Sequence, residues 1–327
     1  MDTTRPDVRL GVIGLGMMGR NHARIAARLE GIDFVGGVDP AGDQHRSLAD
    51  RRLYTDIEDL LEAGVDAAVV AVPSTDHEKV ATRLAESGVH TLIEKPLASD
   101  VAAARRIARV FEGTGLVATV GHVERFNPAL QELKSKLDGG FLGQVFSIRT
   151  RRVGPYPLRV QDVGVIKDLA THDIDLALWL GGRITEIHAQ TAHKLGRPYE
   201  DLVEAVGTLD GGAVLSISVN WLTPAKKRSV TVLGERGALV ADLLSADLTF
   251  FANADVPLEW DEMARLRGVS EGDTVRYALR KREPLQVELE NFRDAIRKEP
   301  DAQLVHLDEG VEVLEVAERL ITDAGAS

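Results

Sequence analysis

The sequence contains no cysteine, and it has no long apolar run. The first absence excludes disulfides, thiolate nucleophiles and thiolate metal ligands. The second excludes a membrane-spanning helix of the usual kind, which needs ~20 consecutive apolar residues. Residues 1–9 also lack the apolar core of a secretory signal. We therefore expect a soluble, cytoplasmic protein.

Positive charge is scarce as well. Lys and Arg number 39 against 51 Asp and Glu, so the formal net charge is −12. Nucleic acids and anionic membrane surfaces attract proteins through Coulomb forces and counterion release, both of which require an excess of cations. We expect neither as a partner, although a local basic cluster could still hold a small anion.

The chain, at 327 residues, is long enough for two domains, and its pattern changes once. Residues 1–122 alternate short apolar runs with helical segments, which predicts an α/β domain with a parallel, doubly wound Rossmann sheet. Residues 123–327 contain an apolar helix at 165–180, followed by alternating, β-rich runs between tight turns. This second pattern predicts an α+β domain with an open, mostly antiparallel sheet.

The end of the chain has a different composition. Residues 259–282 are charged and are predicted to be irregular, whereas 284–296 and 309–321 are predicted to be helices. The last helix could pack back on the first domain.

A glycine-rich turn, Gly14-Leu15-Gly16-Met17-Met18-Gly19, connects the first apolar run to a predicted helix. In such turns the first glycine permits the tight bend, the second lets the backbone approach a pyrophosphate, and the third lets helix and strand pack closely. Asp39 lies 20 residues past Gly19 and can accept hydrogen bonds from both adenosine ribose hydroxyls. Because its charge would repel a 2′-phosphate, the pattern favours NAD over NADP.

Two later motifs carry groups suited to proton transfer. Glu94-Lys95-Pro96 follows a predicted strand, at the edge of the sheet where ligands of open α/β sheets bind. Asp168, His172 and Asp175 are spaced i, i+4, i+7 and so share one face of the apolar helix at 165–180. Alone, each motif is compatible with ordinary solvent-facing charge. Together with the glycine turn, they predict hydride transfer beside an acid/base group.

The chain resembles the glucose–fructose oxidoreductase, inositol dehydrogenase and rhizopine-catabolism (Gfo/Idh/MocA) oxidoreductases over essentially its whole length. The resemblance rests on the three motifs above, on Val72-Pro73-Ser74 with His77, and on residues 121–125. It implies a Rossmann domain followed by an open-faced α+β domain, often paired through the open sheets into homodimers or homotetramers. One departure is that a Gly-Gly common before the Asp helix is here Gly164-Val165.

The resemblance also implies which residues form the site. The predicted catalytic residues are Lys95, Asp168 and His172. The residues predicted to bind NAD are Gly14, Gly16, Met17, Met18, Asp39, Pro73, Ser74, His77, Glu94, Lys95 and His122.

Two stretches, 121–128 and 151–157, resemble the subgroup of UDP-N-acetylglucosamine 3-dehydrogenases. Those enzymes oxidise the sugar 3-hydroxyl to a ketone, which a partner aminotransferase can then aminate. The residues predicted to bind substrate are Lys95, Asn127, Arg152, Tyr156, Asp168 and His172, and a basic cluster suited to a diphosphate contains Arg149, Arg151, Arg152 and Arg159. Alternatively, these arginines pair with the surplus acidic residues, and Arg125 could be structural near Asn127.

We therefore expect NAD-dependent oxidation of a secondary alcohol of a sugar. His172 would accept the hydroxyl proton, Lys95 would stabilise the negative charge developing on the oxygen, and Asp168 would orient His172 or the substrate. The roles of His172 and Lys95 could be exchanged. No metal is expected, because hydride transfer needs none.

Two alternative functions remain open. An inositol or free-sugar dehydrogenase would use the same catalytic residues. A non-catalytic regulatory protein that binds NAD(H) is the alternative from another class.

Overall fold

The computed structural model describes residues 6–158, 160, 163–254 and 271–325. Their contacts divide the chain into two compact units. The first unit contains the described residues up to 123 together with 283–315, and the second contains those of 124–282 and of 316–327. This division differs from the predicted 1–122 and 123–327 because residues 283–315 group with the first unit.

The regular elements are as follows in chain order. The strands are β1 (Val8–Ile13), β2 (Ile32–Val38), β3 (Arg52–Tyr54), β4 (Ala67–Val70), β5 (His90–Glu94), β6 (Ala118–Gly121), β7 (Val145–Pro155), β8 (Ile184–Ala192), β9 (Leu202–Leu209), β10 (Val214–Asn220), β11 (Leu222–Gly234), β12 (Gly237–Asp242), β13 (Asp247–Asn253) and β14 (Glu271–Arg276). The α-helices are α1 (Met17–Ala26), α2 (Ile57–Glu62), α3 (His77–Glu86), α4 (Val101–Phe111), α5 (Pro128–Asp138), α6 (Thr171–Gly181), α7 (Pro284–Ile296) and α8 (Leu307–Gly325). A 3-10 turn spans Val123–Phe126, and a π-helical turn spans Ile166–Ala170. None of these helices is long and apolar enough to cross a bilayer.

The first unit is built on a six-stranded sheet in the order β3-β2-β1-β4-β5-β6, with every pair parallel. The predicted doubly wound sheet is thus confirmed. The central strand β4 is apolar and buried at every residue, as expected for a parallel strand that is covered on both faces. Ile25 of α1 and Phe292 of α7 share one core, which explains why residues 283–315 belong to this unit.

The second unit is built on an eight-stranded sheet in the order β14-β13-β12-β11-β7-β10-β9-β8. Only the β7–β10 pair is parallel, so the predicted mostly antiparallel sheet is confirmed. Helix α6 packs on β7 and β10, and α5 packs on β12 and β13. Of the segment predicted to be irregular, 271–276 form β14, whereas 259–270 lie outside the described residues.

Candidate active site

The glycine turn of the first unit forms an open cradle. Gly14 has a φ of 89°, and its amide donates to the carbonyl of Val38 at 2.8 Å. A methyl group built on Gly19 would lie 1.7 Å from the carbonyl oxygen of Gly14, so only glycine allows this approach. Gly16 precedes α1, is exposed, and would meet nothing within 4 Å if it carried a methyl group. The open N-terminus of α1 therefore fits a pyrophosphate.

The Asp39 carboxylate is held beside this turn. Its Oδ2 accepts from the Leu15 amide at 2.8 Å, and its Oδ1 accepts from the Ala41 amide at 2.9 Å. Both bonds fix the direction of a partly exposed carboxylate at the end of β2. Since each oxygen has a second lone pair, the group fits a ribose diol.

Four predicted cofactor-binding residues, Met17, Met18, Pro73 and Ser74, are accessible enough to contact a ligand. Met17 and Pro73 are exposed, and Ser74 and Met18 are partly exposed. They lie at the start of α1 and in the loop after β4, close to the carboxyl ends of the parallel strands where ligands of such sheets bind. A role in cofactor binding stays a prediction for these four residues.

His77 is buried between two loops. Its ring nitrogens lie 3.2 Å from the Leu97 carbonyl oxygen and 3.0 Å from that of Val72. Burial lowers the pKa of His77, which favours the neutral ring, and a neutral ring has one N–H to donate to either carbonyl. The imidazole thus links the loops after β4 and β5, and its role in cofactor binding stays a prediction.

The Glu94-Lys95-Pro96 motif ends β5 with one side chain turned inward. Glu94 is only 5% exposed, and its Oε1 lies 2.7 Å from Nε2 of the buried His22. Lys95, by contrast, is partly exposed at the carboxyl end of the sheet, and His122 is buried after β6. The Oε2 of Glu94 also accepts from the Lys95 amide at 3.2 Å, so Glu94 supports the start of the loop that carries Lys95, and its role in cofactor binding stays a prediction.

A second buried acid, Glu288 of α7, lies near Glu94. Neither oxygen of Glu288 has a hydrogen-bond partner among the described residues. Burial, together with the charge of Glu94, raises the pKa of Glu288 well above its ordinary value. Both influences favour the protonated, neutral form of this acid. The sequence analysis missed it, although a glutamate in the apolar stripe of Leu285, Leu289 and Phe292 was a visible signal.

In the second unit, the predicted helix at 165–180 begins with a π-helical turn, so the expectation of a continuous α-helix is wrong for its start. Asp168 lies in that π-turn and His172 lies in the first turn of α6, and both are partly exposed. Such turns are often found at functional sites because the wider ring displaces side chains from α-helical positions. The two predicted catalytic groups of this unit are thus adjacent on one segment.

Glu200, which the sequence analysis did not identify, holds the start of this segment. Its Oε1 accepts from the Ile166 amide at 2.9 Å, and its carbonyl accepts from the Val165 amide at 3.0 Å. A methyl group on Gly164 would lie 2.0 Å from the same carboxylate. The single glycine kept from the Gly-Gly pair is the one that this contact requires.

Asp175 does not line the site with Asp168 and His172. It is fully buried, and Nη2 of the buried Arg125 lies 2.6 Å from its Oδ1. Arg125 is therefore structural, as one alternative held. Asn127 is also structural: its Oδ1 accepts from the Ala129 amide that begins α5, and its Nδ2 donates to the Leu243 carbonyl. These bonds use both polar atoms of the Asn127 side chain, and its role in substrate binding stays a prediction.

Arg152 shows the ion-pair alternative rather than an exposed anion site. Its Nε lies 2.6 Å from Oδ2 of Asp173 and its Nη1 lies 2.8 Å from Oε1 of Glu124, while the side chain is 2% exposed. Burial opposes the charge, but the two carboxylates outweigh it and raise the pKa of the guanidinium. Arg149 and Arg151 are exposed, whereas Arg159 lies outside the described residues.

Tyr156 packs within the second unit. Its hydroxyl donates to the Val160 carbonyl, and its ring lies 5.5 Å from that of Trp221. Through the described part of the chain, no group of three or more His, Cys, Asp or Glu residues is arranged to hold a metal ion.

Comparison with known proteins agrees with this geometry. A family described as "Oxidoreductase family, NAD-binding Rossmann fold" matches residues 8–122, and the "GFO/IDH/MocA C-terminal domain" matches 130–240. UDP-N-acetylglucosamine 3-dehydrogenase of Acidithiobacillus ferrooxidans is 29% identical over 88% of each chain. Its solved structure, named GnnA, has a TM-score of 0.84 over 98% of this chain and 99% of that one, at 28% identity. Myo-inositol dehydrogenase Hyg17 of Streptomyces leeuwenhoekii is 31% identical over 70% of this chain and 75% of its own.

Proposed function

The chain belongs to the Gfo/Idh/MocA oxidoreductases, and from that premise we propose that it oxidises the 3-hydroxyl of a UDP-N-acetylhexosamine with NAD. The observation that carries the proposal is the likeness to UDP-N-acetylglucosamine 3-dehydrogenase over 88% of the chain. The open cradle at Gly16 and the partly exposed Asp168 and His172 are compatible with it.

Bound NAD would supply the hydride acceptor, and the protein would handle the proton. His172 accepts the proton of the sugar hydroxyl, because an imidazole is suited to proton transfer at physiological pH. Lys95 donates a hydrogen bond to the same oxygen and stabilises its developing negative charge. Asp168, one turn before His172, orients the imidazole or the substrate.

A substrate panel tests the proposal. Purified protein is mixed with NAD and, separately, UDP-N-acetylglucosamine, free N-acetylglucosamine and myo-inositol, and NADH formation is followed by absorbance. We expect NAD to be reduced in the presence of UDP-N-acetylglucosamine, but not in the presence of free N-acetylglucosamine or myo-inositol.

Activity on myo-inositol without activity on any UDP-sugar would contradict the proposal and favour an inositol dehydrogenase, a function supported by the 31% identity to Hyg17. Binding of NADH without turnover of any member of a wider sugar panel would favour a regulatory protein.

A further inference from the structure

The second unit carries Arg228 near Asp168 and Lys226 near Arg228, and neither cation is among the predicted site residues. Arg228 of β11 lies directly opposite Arg152 of β7. Directly opposite residues of antiparallel strands point to the same face of a sheet. Both guanidinium groups form ion pairs with Oε1 of Glu124. The distance from Nη1 is 2.8 Å for Arg152 and 3.4 Å for Arg228. Lys226 is near enough that the charge of Arg228 lowers its pKa.

The carboxylates of this cluster are used mainly by Arg152. Arg152 forms ion pairs with Asp173 and, at 2.8 Å, with Glu124, whereas Arg228 forms only the 3.4 Å ion pair with Glu124. Among the described residues, no carboxylate oxygen lies within 4.0 Å of the Lys226 ammonium. In addition, Nη2 of the buried Arg152 has no hydrogen-bond partner in that part of the chain. In the described part of the chain, Arg228 therefore makes one long ion pair and Lys226 makes none, although Asp173 and Asp168 are near enough to raise the pKa of Arg228.

The position of this charge matters because Arg228 is accessible. Its side chain is 31% exposed, and it also interacts electrostatically with Asp168. Burial and the repulsion of the neighbouring Arg152 lower the pKa of Arg228, and Glu124, Asp173 and Asp168 offset this only in part. An anion bound at this position would relieve that repulsion next to the residues assigned to the sugar ring.

We propose that Arg228 and Lys226 bind the anionic group of the substrate, with Glu124 and Arg152 holding Arg228 in place. This inference rests on the proposed function and names the residues that recognise the charge. The shared chemistry is an oxyanion attached to the sugar, either the diphosphate of a nucleotide sugar or the carboxylate of a uronate. A guanidinium presents two parallel donors to such a group, and an ammonium adds a point charge.

Lys227 provides a matched control. It is exposed and stands between the two proposed ligands, but it pairs with Val153, so alternation along the strand turns it away from Arg228. Lys227→Gln removes the same charge from the same strand without touching the proposed site.

The test is a calorimetric titration of NADH-loaded protein with UDP-N-acetylglucosamine. Arg228→Gln and Lys226→Gln should each weaken binding by about tenfold or more, the usual effect of losing a charge-assisted hydrogen bond. Lys227→Gln should bind like the wild type, and so should Arg228→Lys within a few-fold. A thermal unfolding curve for each variant checks that it is folded.

Two further ligands identify the anion. If the diphosphate is bound, the Gln variants lose affinity for UDP alone. If a carboxylate is bound, they lose affinity for glucuronate and keep that for UDP. Wild-type affinity of both folded Gln variants for all three ligands would overturn the proposal, as would an equal loss in Lys227→Gln. Failure of every sugar to reduce NAD would instead refute the proposed function, while the UDP and glucuronate titrations still decide the anion site.

Discussion

The two units bury carboxyl groups in opposite ways. In the first, neither oxygen of Glu288 has a hydrogen-bond partner among the described residues, and burial together with the charge of Glu94 raises its pKa well above the ordinary value. In the second, Asp175 is equally buried but lies 2.6 Å from the Arg125 guanidinium. Burial favours the neutral, protonated form of the first acid, whereas an arginine compensates the charge of the second. Changing the carboxylate to an amide should therefore have opposite effects in the two units.

The largest effect is expected at the arginine-paired acid. Asp175→Asn leaves the buried Arg125 charge uncompensated, which typically costs about 3–5 kcal/mol. The free energy of unfolding, from urea denaturation, should fall by that amount. Asp138→Asn is the control, since its pair with Lys134 is 62% exposed at the aspartate and should change stability by about 1 kcal/mol or less. Equal losses in both variants would contradict the difference between buried and exposed pairs.

The next largest effect is expected on the rate of catalysis, from substitution of one residue in each unit. Lys95→Ala and His172→Ala should each lower kcat by about a hundredfold or more, the scale of acid/base and electrostatic contributions. Affinity for NADH should change far less. Lys79→Ala and His188→Ala remove exposed residues of the same types and should keep turnover. Near wild-type kcat in both active-site variants would remove Lys95 and His172 from the mechanism.

Features that depend on local sequence patterns could be predicted better than features that depend on long-range contacts. The glycine turn and the position of Asp39 follow from the spacing of neighbouring residues, and both sheets follow from alternation and burial. The partners of the buried charges could not be predicted, because Arg125 and Asp175 are 50 residues apart and Glu288 reaches Glu94 only through the fold. The π-turn was missed because the 168–172–175 spacing is equally compatible with an α-helix.

Glu288→Gln tests the same comparison at the buried acid of the first unit. In the wild type, the unfolded glutamate loses its proton around pH 4.5, whereas the native one holds its proton to higher pH because its pKa is raised. The unfolded state then binds fewer protons, so stability from this residue falls by up to ~1.4 kcal/mol per pH unit as pH rises. Glu288→Gln cannot ionise and should be more stable than the wild type at neutral pH.

Urea unfolding at a series of pH values measures this effect. The curves of wild type and Glu288→Gln should diverge as pH increases above 4.5. Parallel curves would mean that Glu288 is ionised in the native protein and that the two units do not differ in this way.

The smallest effect is expected at Asp39, where a carboxylate remains partly exposed. Asp39→Asn keeps an acceptor for the Leu15 amide but loses the charge, so NADH affinity should fall by about tenfold. The preference over NADPH should narrow, since repulsion of the 2′-phosphate is removed. Fluorescence titration with both cofactors measures this, and a wild-type preference for NADPH would show that Asp39 does not select NAD.

The most direct test of the central claim follows the transferred hydrogen. UDP-N-acetylglucosamine deuterated at carbon 3 of the sugar is incubated with the wild-type protein and NAD, and the NADH is analysed by mass spectrometry. Oxidation of the 3-hydroxyl predicts one deuterium in the NADH formed. NADH without deuterium would show that the hydride comes from another carbon, and absence of NADH would show that this nucleotide sugar is not the substrate.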